Sequence, residues 1–270
     1  MSAAKQYPDG VFNWIDLTTT DVAAAKAFYG GLFGWTYEDR PTGEGRPDYT
    51  MFLLDGHAVA GGNPMSPEMA AMGAPPVWVS YVKYDDIDAA AARAAEAGGA
   101  VFMPPMDVLD SGRMALIQDP TGAAFGIWSP RAFEGAELVN QPGALAWNEL
   151  QTHDLPAART FYKRVFDWTD SEMSDGSGYV TFAAGDRTQC GSMQIGDNFP
   201  PDVPSNWAVY FNVADVDAAA ARVAELGGTV LVGPVAAGEM GRFIVVRDPQ
   251  GAVFTAMQFN GPMDPPPWEN

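Results

Sequence analysis

Apolar positions along the chain follow two alternating rhythms. Val22, Ala25, Phe28, Tyr29, Leu32 and Phe33 fall three and four apart, the spacing of a helix that buries one face. Asp21 stands where an N-cap carboxylate belongs, and Gly34 where a left-handed stop costs little. A second helix opens near Asp86 and runs through alanines to Gly98-Gly99. Short extended runs follow at 49–54, 57–62, 100–103, 113–118 and 123–128. Asp55-Gly56 predicts a two-residue hairpin turn, and Asp119-Pro-Thr-Gly122 a second tight turn.

The whole pattern then repeats. Trp14, Asp21, Phe28-Tyr29 and Trp35 recur 133 positions later as Trp147, Asp154, Phe161-Tyr162 and Trp168. Trp78, Tyr81, Asp86, Gly112-Arg113 and Asp119-Pro120 recur 129 positions on as Trp207, Tyr210, Asp215, Gly241-Arg242 and Asp248-Pro249. A fainter repeat of 65 residues relates Asp21 to Asp86 inside the first half. The chain is thus four strand-helix-strand-strand-strand units in two halves, at about 10–130 and 143–260, with a Gly- and Pro-containing connector between them. Two domains are expected, 1–135 and 136–270, the second ending in a proline-rich tail read as an extended strap or disordered segment. The Met65 to Met72 stretch reads as a covering loop.

Charge narrows the partners. With 34 acidic and 15 basic side chains the net charge is −19, which repels nucleic acid and anionic lipid and attracts cations. Cys190 is the only cysteine, so an intrachain disulfide is excluded. The first ten residues lack an apolar signal core, and no run of about 18 apolar residues follows. A soluble, cytoplasmic protein with no membrane partner is the expectation.

The stretches from Asp21 to Trp35 and from Asp154 to Trp168, with the two Asp-Pro-x-Gly turns, resemble the vicinal oxygen chelate superfamily of glyoxalases, bleomycin-resistance proteins and extradiol dioxygenases. The tandem arrangement and the Gly-Arg strands are similar to an actinobacterial glyoxalase-like group that includes a secreted antigen and an accessory protein of late anthracycline tailoring. The resemblance implies an α+β fold in which four βαβββ modules form two eight-stranded open half-barrels, each around a cavity. Whether a cavity belongs to one half or to strands exchanged between halves stays open.

In metal-dependent members, side chains from four strand positions reach into that cavity. The resemblance places them at Trp14, near Gly61, at Val79 and at Gly126 in the first half. Their counterparts are Trp147, near Gly191, Ala208 and Thr255. A divalent metal needs three or four imidazole, carboxylate or thiolate donors, and the chain has two histidines, His57 and His153. The resemblance therefore implies a metal-free, cofactor-free variant.

Strand alternation puts Trp14, Asp16 and Thr18 on one face and Trp147, Glu149 and Gln151 on the equivalent face. Trp128 shares the inner face with Gly126, and Met257 with Thr255. These residues form a candidate pocket of aromatic walls with one carboxylate. Two alternatives stay open: the tryptophans pack as ordinary core, or Asp16 and Glu149 pair with Arg113 and Arg242, which recur in register. By resemblance, the favoured function is a binding protein that sequesters or delivers an aromatic, amine-bearing natural product, with a tailoring oxygenase as candidate partner. A metal-independent enzyme using Asp16 or Glu149 as general base, and a glyoxalase acting on methylglyoxal, are the other readings.

Overall fold

The computed structural model describes residues 6–269. The first half contains β1 (Phe12–Thr19), α1 (Val22–Phe33), β2 (Thr36–Arg40), β3 (Tyr49–Leu54), β4 (His57–Pro64), α2 (Pro67–Ala71), β5 (Val77–Lys83), α3 (Ile87–Glu96), β6 (Ala100–Val108), β7 (Gly112–Gln118) and β8 (Ala124–Pro130). The second half contains β9 (Leu145–Thr152), α4 (Leu155–Phe166), β10 (Thr169–Glu172), β11 (Val180–Ala184), β12 (Arg187–Gln194), β13 (Asn206–Asn212), α5 (Val216–Glu225), β14 (Thr229–Ala236), β15 (Gly241–Arg247) and β16 (Val253–Phe259).

Each half supplies one complete eight-stranded mixed sheet, in the orders β2-β3-β4-β1-β5-β8-β7-β6 and β10-β11-β12-β9-β13-β16-β15-β14. Neither sheet closes, and among the described residues no strand is exchanged between the halves. β1 runs parallel to β4 and antiparallel to β5, so the two modules of a half meet at the β1–β5 seam.

Local chemistry sets the elements. Asp21, Asp86, Asp154 and Asp215 each cap a helix by accepting a backbone N–H three residues on. Gly34 ends α1 at φ 76°; Asp167 does the same for α4 at φ 57°. Asp55 and Gly56 both have positive φ, as a two-residue primed hairpin turn requires. Two expectations change. The 65–72 stretch contains the short helix α2, whose N-cap Ser66 accepts from Met69 N–H. β2 is exposed along its length; a polar edge strand carries no apolar alternation for a sequence reading to find.

The halves are fused through their helix-bearing faces. One core cluster joins Phe28, Tyr29, Trp35 and Trp78 to Phe211 and Phe254; the other joins Phe161, Tyr162, Trp168 and Trp207 to Phe12 and Phe125. Across the junction α1 packs against α5 and α3 against α4, and aromatic side chains of α1 and α4 reach strands of the opposite half, as Phe33 does Phe211 and Phe166 does Phe125. At the centre of one cluster Tyr29 donates its hydroxyl proton to Asp248 Oδ2 at 2.9 Å and accepts from Trp78 Nε1 at 3.0 Å. Tyr162 repeats this with Asp119 Oδ2 at 2.9 Å and Trp207 Nε1 at 2.8 Å. Trp35 Nε1 reaches the Gly143 carbonyl, and Trp168 Nε1 that of Gly10. Ser80 Oγ donates to Asn148 Oδ1 at 2.6 Å where β5 backs onto β9.

The tail is an ordered strap. Trp268 sets its edge against Tyr7 at 5.0 Å, and the carbonyls of Asp264 and Pro265 accept from Asn140 Nδ2 and Arg187 Nη2. The connector does the same for the first half, where the Ala136 carbonyl accepts from Tyr7 Oη.

Tyr29→Phe leaves a buried indole N–H and a buried carboxylate oxygen unpaired. It is expected to cost about 1–3 kcal/mol in urea unfolding, as is Tyr162→Phe. A neutral result for both would mean that these bonds do not hold the halves together.

Candidate functional site

The site is built on the sheet face opposite the helices, hereafter the inner face. On β1 the Trp14 Nε1–H donates to Tyr49 Oη at 2.9 Å and to Asp16 Oδ1 at 3.0 Å. The Tyr49 hydroxyl donates to the same Asp16 oxygen at 2.5 Å. Tyr49 lies on β3, two strands from β1, and reaches Asp16 by crossing β4 over Gly61, which is paired with Asp16. A Cβ added at Gly61 would overlap both Tyr49 Oη and Asp16 Oδ1. Gly126 plays the same part under the ring of Tyr81.

The second half repeats the design with changed parts. Trp147 Nε1 donates to Tyr179 Oη at 3.0 Å, and the Tyr179 hydroxyl lies over Gly191. Glu149 Oε1 accepts from Tyr210 Oη at 2.8 Å and from Gln151 Nε2 at 3.1 Å. Thr255 and Met257 are buried beside them.

Burial raises the Asp16 carboxyl above the usual range, opposed by hydrogen bonds from Tyr49, Trp14 and Tyr81. Burial raises Glu149 likewise, opposed by Gln151, Tyr210 and Tyr179. The four tyrosine hydroxyls are themselves raised, first by burial and then by the neighbouring carboxylate, so they remain protonated donors. Each inner face thus carries one acid ringed by neutral donors.

A divalent metal does not fit these residues. Indole is a donor only, and Gly61, Val79 and Gly126 offer no side-chain ligand. The space that ligands would need is filled by Tyr49 and Tyr81. Among the described residues, no three His, Cys, Asp or Glu side chains come together as a metal group.

The remaining candidates divide. Trp128 is on the inner face, with its Nε1–H donating to the Phe133 carbonyl at 2.8 Å, while the Phe133 ring meets Trp14 edge-on at 4.8 Å. Thr18 lies farther along β1, within 3.4 Å of Asn63 Oδ1. Arg113 and Arg242 point the other way. Arg113 pairs with Asp88 and Asp107, and Arg242 with Asp217, so each ties a strand to the first turn of a helix. Neither approaches Asp16 or Glu149, because both share the strand face that carries the helices. His57 lies 3.9 Å from Glu137, and His153 Nε2 bonds the Val203 carbonyl, both away from the inner faces.

Tyr49, Tyr81, Tyr179, Tyr210 and the connector's Phe133 were not among the sequence candidates. All four tyrosines sit at repeated positions, and a glycine opposite three of them was the available signal. Around Trp14 and Trp128 the face is lined by half-buried Tyr49, Leu53, Val79, Val108, Met114 and Leu116.

The glyoxalase/bleomycin resistance protein/dioxygenase superfamily model matches residues 11–127 and again 144–255. The chain belongs to that superfamily. Among its relatives, a Mycobacterium tuberculosis protein named "Putative glyoxylase CFP32" is 45% identical over 260 residues, covering 96% of this chain and 98% of its own length. The anthracycline biosynthesis protein DnrV of Streptomyces peucetius is 38% identical over 264 residues, with 94% of each chain covered. In fold, the chain is similar to the Mn(II)-bound glyoxalase from Novosphingobium aromaticivorans, with TM-score 0.63 and 16% identity over 96% of this chain and 85% of that one. The 2,3-dioxygenase LapB from Pseudomonas sp. KL28 gives TM-score 0.64 and 14% identity over 96% and 95%. No helix among the described residues is long and apolar enough to cross a membrane.

A carboxyl raised in the folded state favours folding only while protonated. Its contribution is complete below the unfolded carboxylate pKa and is lost as pH rises through the raised value. Asp16→Asn, which keeps the acceptor for Trp14 and Tyr49, is therefore expected to raise Tm over wild type more at pH 8 than at pH 4, by about 2–4 °C per kcal/mol relieved. Scanning calorimetry at the two pH values checks this, and a gain that shrinks with pH refutes it. Gly61→Ala is expected to cost about 1–3 kcal/mol through overpacking, measured as a lower urea midpoint.

Proposed function

We propose that the protein binds a flat, apolar small molecule on the inner face of one or both half-barrels, without a metal, and acts as a carrier or accessory factor rather than as a lyase or dioxygenase. The observation that carries this reading is the replacement of the superfamily's ligand positions by a tryptophan–tyrosine–carboxylate cluster with a half-buried apolar lining around it. Indole and phenol faces offer stacking area, and a flat ligand burying about 300 Å² of apolar surface gains roughly 7 kcal/mol before ordering costs. Micromolar binding needs about 8 kcal/mol net, so polar contacts must add to it. Asp16 or Glu149 could supply one to an amine, in keeping with the acidic surface. The name of DnrV, an anthracycline biosynthesis protein, supports an anthracycline-like aromatic as the ligand class; an amino sugar on it and a tailoring oxygenase to receive it complete the proposal.

A second reading has its own support. A carboxyl raised by burial and held by tyrosine donors suits a general base, so a metal-independent isomerisation or cyclisation on the same ligand class is the alternative. The name of CFP32 suggests a glyoxalase, but that chemistry needs donors that Trp14, Gly61, Val79 and Gly126 lack.

Titration with an anthracycline is expected to quench tryptophan fluorescence with a dissociation constant in the micromolar range, and Trp14→Ala or Trp147→Ala to weaken it about tenfold or more. Absence of quenching by folded protein, or stoichiometric zinc or manganese in the purified protein, would overturn the binding reading. Turnover of an anthracycline precursor that disappears in Asp16→Asn or Glu149→Gln would replace it with the enzymatic one.

A further inference from the structure

The two inner faces share one plan and are finished differently. In the first half the connector comes down onto the sheet. Phe133 donates its backbone N–H to the Ser111 carbonyl at 3.0 Å, and its own carbonyl accepts from Trp128 Nε1 at 2.8 Å. Its ring meets Trp14 edge-on at 4.8 Å and Trp128 at 6.2 Å, a favoured arrangement of aromatic pairs. The chain beyond is stitched down as well. Asn13 Nδ2 donates to the Glu134 carbonyl at 2.6 Å, Ala136 N–H to the Asn13 carbonyl at 2.8 Å and Glu137 N–H to the Ala58 carbonyl at 2.7 Å. Trp14 is left only 3% exposed. An aromatic ring of the chain itself is already in contact with the indole that a ligand would use.

The second half lacks both parts of this arrangement. The position 129 residues on from Phe133 is Pro262, with no aromatic ring and no N–H to donate. The counterpart of Trp128 is Met257, which has no proton for a carbonyl. The tail is held here by Asn140 Nδ2 and Arg187 Nη2, which donate to the Asp264 and Pro265 carbonyls, and Trp147 stays half-buried. Across the same face runs an apolar wall. Val245 pairs with Thr255 and Phe243 with Met257, and Val232 and Val235 pair in turn with Val245 and Phe243. Residues paired across strands share a face, so all four lie on the inner side. Val232 and Val235 are 46% and 39% exposed. The first face has a similar wall, where Met106, the counterpart of Val235, pairs with Met114 and is 44% exposed. The walls are alike, and the cover over the tryptophan is what differs.

Given the binding reading above, on which this rests, we propose that Phe133 is a built-in occupant that closes the first inner face, and that the ligand seats on the second face alone. There it lies against Trp147 and the wall of Val232, Val235, Phe243 and Val245. A ligand entering the first face would have to displace a ring whose backbone is bonded on both sides, and would leave the Trp128 N–H without its acceptor. On the second face no such bond has to break, and uncovered apolar side chains on the same face as an indole are a surface that gains by being covered. One flat ligand per chain follows, with the first half kept as a scaffold filled by its own connector.

Calorimetric titration of the full-length protein with doxorubicin, an anthracycline, reads both stoichiometry and affinity. The expected result is one doxorubicin per wild-type chain and two per chain in Phe133→Ala, which removes the covering ring. Val235→Gln is expected to weaken wild-type binding about fivefold or more through lost apolar contact. Met106→Gln, the same change at the counterpart position of the first face, leaves it within about twofold. Two ligands per wild-type chain, a loss in Val235→Gln no greater than in Met106→Gln, or a folded Phe133→Ala protein that still binds one would each overturn the proposal. If Phe133→Ala does not fold, the wild-type stoichiometry and the two exposed strand variants decide the matter, since neither variant alters the core. Absence of any binding by folded wild-type protein refutes the binding function itself, whereas two ligands per chain keeps that function and refutes only the closed first face.

Discussion

The structure depends on two buried hydroxyl–carboxylate bonds that cross between the halves, Tyr29 to Asp248 and Tyr162 to Asp119. Each carboxylate already accepts backbone N–H groups in its own Asp-Pro turn, and each tyrosine also accepts from an indole. Six side chains are thereby satisfied together in two aromatic cores, where an unpaired polar atom would be costly. This explains why the most visible repeated residues of the chain, the Phe-Tyr pairs, the tryptophans near 35, 78, 168 and 207, and the Asp-Pro turns, lie at the junction and not in the site. They hold one half-barrel against the other.

With the helix-bearing faces committed to each other, the opposite faces are the ones on which the proposed ligand would lie. There Trp14, Tyr49 and Asp16 form one hydrogen-bonded cluster, and in the second half Trp147 bonds to Tyr179 and Glu149 to Tyr210. Glycines at 61, 126 and 191 remove the side chains that would otherwise project, and tyrosines from neighbouring positions lean into the space. The carboxylates at 16 and 149 stay because each is ringed by donors that cannot ionise in its presence. An acid kept in this way costs stability at neutral pH, and the proposed function gives it the polar contact to the ligand.

The halves are copies in fold and unequal in detail. Phe133 from the connector packs onto Trp14, whereas Trp147 stays partly open beneath the tail strap. Gln189 and Arg187 replace Val59 and His57 at the bulge that β3–β4 and β11–β12 share. The same architecture thus carries a first face partly covered by the connector and a second face beside a cleft that Gln189 and Arg187 line.

Sequence alone determined the four-module repeat, the helix caps, the Asp55-Gly56 turn, the superfamily and the inner-face placement of Trp14, Asp16, Trp147 and Glu149. These follow from periodicity and local backbone preference, which act over a few residues and leave a direct trace in the chain. Tertiary structure decided the rest. That Arg113 and Arg242 answer helix-capping turns, that Tyr49 crosses a strand to reach Asp16, and that a proline-rich tail becomes a strap all depend on which elements come to lie side by side. A side chain's partner across a sheet or between domains is set by packing of segments far apart in sequence, and no local pattern encodes it.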